Sequence, residues 1–187
     1  MEKLSREQIL TLPNGLTAIR VLAIPVIILL LFYVGQRYQF ITAFLFLLVA
    51  VTDTIDGYLA RRRGLVTTLG TFLDPLADKL LIVAALIALI PTRGVSTSTV
   101  IVIVGREIAV TGLRGIAISQ GVVIAASAAG KYKTVLEVVA IFLLILDGNY
   151  LSLNVHQIGM GLLLAAMALA VYSGVCYFKD FLRAIVV

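Results

Sequence analysis

Charge is scarce in this chain. Only 13% of its 187 residues are Asp, Glu, Lys or Arg, whereas 61% are hydrophobic, and the mean hydropathy is +1.10. A soluble domain carries about twice that charged fraction. So few polar residues cannot coat a water-facing exterior, which makes lipid the outer solvent. Cysteine is almost absent as well. Cys176 is the only one, so an internal disulfide is excluded, and its setting is that of a buried helix residue. Also missing is an apolar stretch followed by a small-residue cleavage site near the start. The leading MEKLSREQILTLPN is too polar for one, so no cleavable signal peptide is expected.

What charge there is leans positive, with 15 Lys and Arg against 10 Asp and Glu. Most of the basic residues flank or enter apolar runs. That placement favours anionic membrane lipids and phosphate-bearing substrates over nucleic acid as partners.

The apolar runs predict an all-α integral membrane protein, one domain over residues 1–187, with six transmembrane helices near 15–35, 39–62, 68–90, 97–119, 131–147 and 155–182. Each can cross a hydrocarbon core of roughly 30 Å, which takes about 20 helical residues. Breaks fall at Pro13-Asn14, at the Arg61-Arg62-Arg63-Gly64 turn, at Pro91, Gly94 and Ser96, between Gly121 and Gly130, and at Asp147-Gly148-Asn149. Residues 3–11 can form a short interfacial helix with Leu4 and Ile9 toward lipid. Six spans put both termini on one side. In the loops, termini and span ends, nine basic residues fall with the termini and the Arg61–Arg63 turn, and only Arg37 and Arg93 fall opposite. The positive-inside rule then makes both termini cytoplasmic, in a cell membrane. His156 belongs near the outer face, and Glu137 in the fifth span has no assigned role.

Ionisable residues within spans are costly and usually mark function. Asp53 and Asp56, three apart, lie in the second span; Asp74 and Asp78, four apart, lie in the third. With about 3.6 residues per turn, each pair shares one helix face. A short turn joins the two spans, so the four carboxylates are expected to meet in the cytoplasmic half of the membrane. They cannot all stay ionised without compensation. Either some are protonated or cations sit among them. Hard divalent ions such as Mg²⁺ or Mn²⁺ suit such a set, and two of them can hold both sides of a phosphoryl displacement. Gly57 and Ala60 offer almost no side chain on the face of Asp53, Arg61 stands at its end, and Gly70 precedes Asp74 by one turn.

Together these residues read Asp53-Thr-Ile-Asp56-Gly57-Tyr-Leu-Ala60-Arg61, eight residues, then Gly70-Thr-Phe-Leu-Asp74-Pro-Leu-Ala-Asp78. The pattern resembles, position for position, the D-x2-D-G-x2-A-R-x8-G-x3-D-x3-D signature of the CDP-alcohol phosphotransferase family. The resemblance extends over essentially the whole chain. It implies a metal-dependent membrane enzyme that moves a phosphatidyl group from CDP-diacylglycerol to an alcohol and releases CMP, working as a homodimer. By position it makes Asp53, Asp56, Asp74 and Asp78 metal ligands, with Asp78 also the general base. It makes Asp56, Gly57, Ala60, Arg61 and Gly70 donor contacts, joined by Asn14, Thr17 and Arg20 of LPNGLTAIR. Attack by the acceptor hydroxyl on the lipid-side phosphorus follows as a direct displacement, although a covalent step suits the same residues.

The signature leaves the acceptor open. Arg106 and Arg114 in GREIAVTGLR stand eight apart, and Lys131 and Lys133 follow in GKYKT. Four cations suit an acceptor that carries its own phosphate. These segments, with FLDPLADK, resemble bacterial members of the family that use glycerol 3-phosphate; inositol phosphate is the competing acceptor. Plainer roles exist: Arg106 can simply pair with Glu107, and the lysines satisfy the positive-inside rule. An ion or proton transporter is the rival class, since buried carboxylates also serve as relays. It would need polar groups leading to both faces, whereas here the outer halves of the spans are nearly pure Leu, Ile, Val and Ala. A scaffold protein gives no reason for the aspartate spacing.

Overall fold

A computed structural model of the protein describes residues 12–33, 35–63, 68–121, 128–150 and 153–186. The described residues form six helices and one small hairpin. The helices are α1 (Leu12–Phe32), α2 (Gln36–Arg63), α3 (Thr68–Arg93), α4 (Thr97–Ser119), α5 (Ala128–Leu146) and α6 (Val155–Val186). Strands β1 (Asn149–Tyr150) and β2 (Leu153–Asn154) pair antiparallel between α5 and α6, Asn149 opposite Asn154 and Tyr150 opposite Leu153. The proposed interfacial helix at residues 3–11 lies outside the described residues.

Helix ends follow local chemistry. Pro13 sits in the first turn of α1, where a missing N–H costs nothing. α4 ends where the Gln120 N–H donates to the carbonyls of Ala117 and Ile116 (3.1 and 3.3 Å), after which Gly121 takes φ +75°. α6 is capped by Asn154, whose Oδ1 accepts from the Gln157 N–H at 3.0 Å. Two boundaries and the burial of one residue differ from the sequence reading. α3 runs through Pro91 to Arg93, because a proline costs one backbone bond and does not forbid a last turn. Gly130 lies inside α5, which starts at Ala128, so it brackets no loop. Cys176 lies on α6 and is half-buried, because that helix alternates packed and open faces at this point.

By packing, the chain divides into two compact units, the described residues up to Ala88 and those from Leu89 onward. In the first, α1 packs on α2. Ile27 and Leu31, one turn apart, are buried on α1, and Thr42, Ala43, Phe46 and Val49 are buried on α2. Thr42 spends its hydroxyl on the Tyr38 carbonyl one turn back, at 2.6 Å, so no polar group is stranded there. In the second unit, α6 is the central helix and both α4 and α5 pack on it. Its inward residues Leu163, Ala166, Ala170, Ser173, Tyr177 and Phe181 recur every three or four positions. Gly159 lets α5 come close: a methyl there would lie 3.0 Å from Leu144 Cγ and 3.2 Å from the Leu144 nitrogen. Small residues at such crossings are how helices approach where no water drives them together.

The outward faces are apolar too. Leu22, Leu48, Ile101 and Ile108 are each at least 64% exposed, and Phe44, Tyr132 and Tyr172 are exposed with them. Among the described residues, Val155–Ala184 is long and apolar enough to cross a membrane. Its 30 residues span about 45 Å against a core of roughly 30 Å. Val21–Phe32 and Arg37–Thr52 are shorter apolar stretches.

Candidate functional site

The acidic signature falls on two successive helices. Asp53, Asp56, Gly57, Ala60 and Arg61 lie in the last eleven residues of α2, and Gly70, Asp74 and Asp78 in the first eleven of α3. Asp53 stands ten residues before the end of α2 and Asp78 ten after the start of α3, each about 15 Å along its helix. Four residues, 64–67, separate the two helices. Asn14, Thr17 and Arg20 belong to the first half of α1. The structure describes the helices that carry these positions; the side chains themselves lie outside what it describes. Among the described residues no group of three or more His, Cys, Asp or Glu converges as a metal site. The donor set in the signature is nonetheless all carboxylate oxygen, the chemistry that hard divalent ions take.

The second unit carries the other ionisable cluster, and here the side chains are seen. Glu107 of α4 accepts through Oε1 from Arg106 Nη1 and also from Lys133 Nζ of α5, the latter at 2.5 Å. Lys133 Nζ lies 2.9 Å from Glu137 Oε1 one turn on, an ion pair without the angle of a hydrogen bond. Arg106 then reaches α6, its Nε donating to the Ala170 carbonyl at 3.2 Å and its Nη2 to Ser173 Oγ at 2.8 Å. Gly174 makes room for it; a methyl there would stand 3.1 Å from Arg106 Cγ. Two cations and two carboxylates thus neutralise one another between three helices. Lys133 is 1% exposed and Glu137 2%, which only such mutual pairing permits.

Arg114 lies eight residues farther along α4, about 12 Å, with its guanidinium carbon 5.8 Å from the ring centre of Tyr177. Tyr177 is itself buried, and its hydroxyl has no hydrogen-bond partner among the described residues. Because Arg106 meets Ala170 and Ser173 while Arg114 meets Tyr177, α4 and α6 run parallel. α5 runs opposite to α6, since its last residues face Gly159 near the start of α6. The C-terminal ends of α4 and α6 therefore share one end of this unit with the start of α5, where Lys131 is exposed.

At the other end, Arg93 donates through Nε to the Leu144 carbonyl at 3.2 Å and pairs with Asp147 at 3.4 Å. His156 Nδ1 lies 3.0 Å from the other oxygen of Asp147. His156 thus belongs to a clasp at the far end of this unit from Arg114 and Lys131.

Of the four cations proposed for the acceptor, Arg106 and Lys133 come together on Glu107. Arg114 stands apart on Tyr177, and Lys131 is exposed. Glu107 was expected to partner an arginine, and it does so while also binding Lys133. Glu137, without a role in the sequence reading, is the second partner of Lys133. Ser173, Gly174 and Tyr177 were not singled out. The signal available for them was a Ser-Gly pair inside an apolar run, a mark of helix crossings in lipid. For Glu137 it was a carboxylate four residues from a lysine.

Comparison with known proteins agrees with the signature. A family model described as CDP-alcohol phosphatidyltransferase matches residues 10–172. A Rickettsia bellii protein named CDP-diacylglycerol–glycerol-3-phosphate 3-phosphatidyltransferase is 38% identical over 171 residues, covering 90% of this chain and 93% of its own length. A Bacillus subtilis protein of the same name is 38% identical over 180 residues, again 90% of this chain and 93% of its own. An Arabidopsis thaliana protein, CDP-diacylglycerol–glycerol-3-phosphate 3-phosphatidyltransferase 2, is 34% identical over 191 residues, 94% of this chain and 82% of its own. A match over most of the chain, carrying every fixed residue of the signature, places this protein in the CDP-alcohol phosphatidyltransferase family.

Proposed function

We propose that this protein transfers the phosphatidyl group of CDP-diacylglycerol to glycerol 3-phosphate, giving phosphatidylglycerophosphate and CMP. The observation that carries the reading is the coincidence of the unbroken aspartate signature with relatives of nearly the same length, all named for this acceptor. Catalysis of this kind is mainly positioning and charge stabilisation.

In this reading Asp53, Asp56, Asp74 and Asp78 hold two divalent ions, Mg²⁺ or Mn²⁺. Those ions supply neutralisation of the pyrophosphate oxygens. Gly57, Ala60 and Gly70 leave the space that the cytidine and pyrophosphate fill, and Asn14, Thr17, Arg20 and Arg61 offer donors to the phosphates. Asp78 takes the proton from the acceptor hydroxyl as that oxygen attacks the lipid-side phosphorus and CMP leaves. Arg106, Arg114, Lys131 and Lys133 hold the acceptor's own phosphate. All six helices are membrane spans of one domain, with both termini and the active site cytoplasmic. The distribution of basic residues supports this, and so do the exposed apolar helix faces. The homodimer is carried over from the family resemblance.

The test is CMP release by detergent-purified protein given CDP-diacylglycerol and Mg²⁺, with glycerol 3-phosphate, inositol phosphate or serine supplied singly. Release with glycerol 3-phosphate alone, abolished by EDTA, is the expected result. Release with another alcohol would keep the family and replace the acceptor. No release from a folded sample would return the four aspartates to the transporter reading.

A further inference from the structure

We propose that Glu107 is a positioning residue of the acceptor site: one carboxylate oxygen draws Arg106 of α4 and Lys133 of α5 to a common point and holds both cations for the acceptor's phosphate. The inference rests on the reading of these two cations as acceptor contacts.

Arg106 and Lys133 come from different helices and would repel one another if left unpaired in a poorly screened interior. Glu107 Oε1 receives a hydrogen bond from each, so the two charges converge within one hydrogen-bond length of a single oxygen. The pairing is not a by-product of helix spacing. Adjacent residues on a helix do not face each other, so the guanidinium of Arg106 must turn back toward its neighbour. It does so while anchored on the far side by the Ala170 carbonyl and by Ser173 Oγ. Lys133 is likewise anchored on its far side by Glu137.

These anchors do not exhaust the donors. A guanidinium has five N–H groups and an ammonium three. Among the described residues three of the former and one of the latter make hydrogen bonds, and Lys133 has in addition its ion pair with Glu137, so hydrogens remain on both cations. The cluster therefore fixes the direction of both cations and still leaves hydrogens for phosphate oxygens. Stability alone does not account for it, since apolar side chains of the same volume hold helices together at least as well as a buried ion cluster.

The experiment is Glu107→Gln in the CMP-release assay, varying glycerol 3-phosphate and CDP-diacylglycerol separately. The expected result is a KM for glycerol 3-phosphate raised about tenfold, with the KM for CDP-diacylglycerol within about twofold of wild type. Glu107→Asp, which restores the charge one methylene short, recovers part of the loss. A glycerol 3-phosphate KM unchanged in Glu107→Gln would overturn the proposal. So would a parallel rise in both KM values, the mark of a general structural role. Should Glu107→Gln fail to fold, Ser173→Ala decides. It removes one anchor of Arg106 without stranding a charge, and about a threefold rise confined to the acceptor KM is expected; no rise overturns the proposal. Wild-type protein that released no CMP with glycerol 3-phosphate would instead overturn the acceptor reading, and this inference with it.

Discussion

Two groups of ionisable residues in this protein differ in what their own helices offer them. On α2 and α3, Asp53, Asp56, Asp74 and Asp78 have no basic residue three or four positions away on their own helices. On α4, α5 and α6, Glu107 and Glu137 are matched by Arg106 and Lys133, and the four charges satisfy one another. A compensated cluster can be buried without help from outside. Carboxylates with no such neighbour on their own helices call for partners from elsewhere, whether other helices, ions or protons. In the proposed function, the difference separates residues whose charge is spent on substrate chemistry from those whose charge is first spent on each other.

The sharpest way to break this comparison is at the aspartates. Asp78→Asn keeps the shape and removes the base. We expect transfer to fall by about three orders of magnitude or more, the range of a lost general base, while the helical circular dichroism and donor binding persist. Full activity would remove Asp78 from that role. Chelation acts on the whole set: EDTA should abolish CMP release, and added Mg²⁺ should restore it. Activity that survives exhaustive chelation would leave the carboxylates without their proposed compensation.

At the compensated end, two lysines that look alike in GKYKT should behave differently. Lys133→Ala leaves Glu137 without its partner and Glu107 with Arg106 alone, at a position 1% exposed. Breaking a buried pair this way costs on the order of 3–5 kcal/mol, read as a lowered thermal midpoint in detergent. Lys131→Ala, at an exposed position, should shift that midpoint by less than the ~0.5 kcal/mol typical of a surface change. Equal shifts would dissolve the distinction between them.

Smaller effects sharpen the picture around the arginines. Arg114→Ala is expected to raise the KM for glycerol 3-phosphate on the order of tenfold, the loss of a charged hydrogen bond, with the donor KM unmoved. An unchanged acceptor KM would assign Arg114 to its contact with Tyr177 alone. Gly174→Ala puts a methyl 3.1 Å from Arg106 Cγ, and the head of Arg106 is tied by its bonds to α6 and Glu107. The side chain can give by only a few tenths of an ångström. A rise in acceptor KM of about two- to threefold is expected, and a larger one would mean that Arg106 has no slack at all.

Much of this was legible in the sequence, and for physical reasons. Long apolar runs in a chain with 13% charged residues predict helices, because in lipid the backbone must satisfy itself within each segment. The six helices were anticipated on that ground, and their ends lie within a few residues of those expected. The hairpin at Asn149–Asn154 was not anticipated, since two-residue strands leave no alternation to detect. The aspartates were legible because their spacing is local: three and four residues on a helix set a shared face whatever lies around them. That local rule also places Lys133 beside Glu137.

Spacing along one helix cannot say which residues of different helices meet. The sequence by itself determined the helical, apolar character of the chain, the order of its elements and the family signature, because each depends on composition or on neighbours within one segment. The tertiary structure decided that Arg106 and Lys133 converge on Glu107, that Ser173 and Gly174 of α6 receive Arg106, and that Arg114 rests on Tyr177. The hydrogen bonds among those contacts join residues up to 67 positions apart. They depend on which faces of α4, α5 and α6 pack together, a choice settled by side-chain shape and charge pairing between helices rather than by the pattern within any one of them.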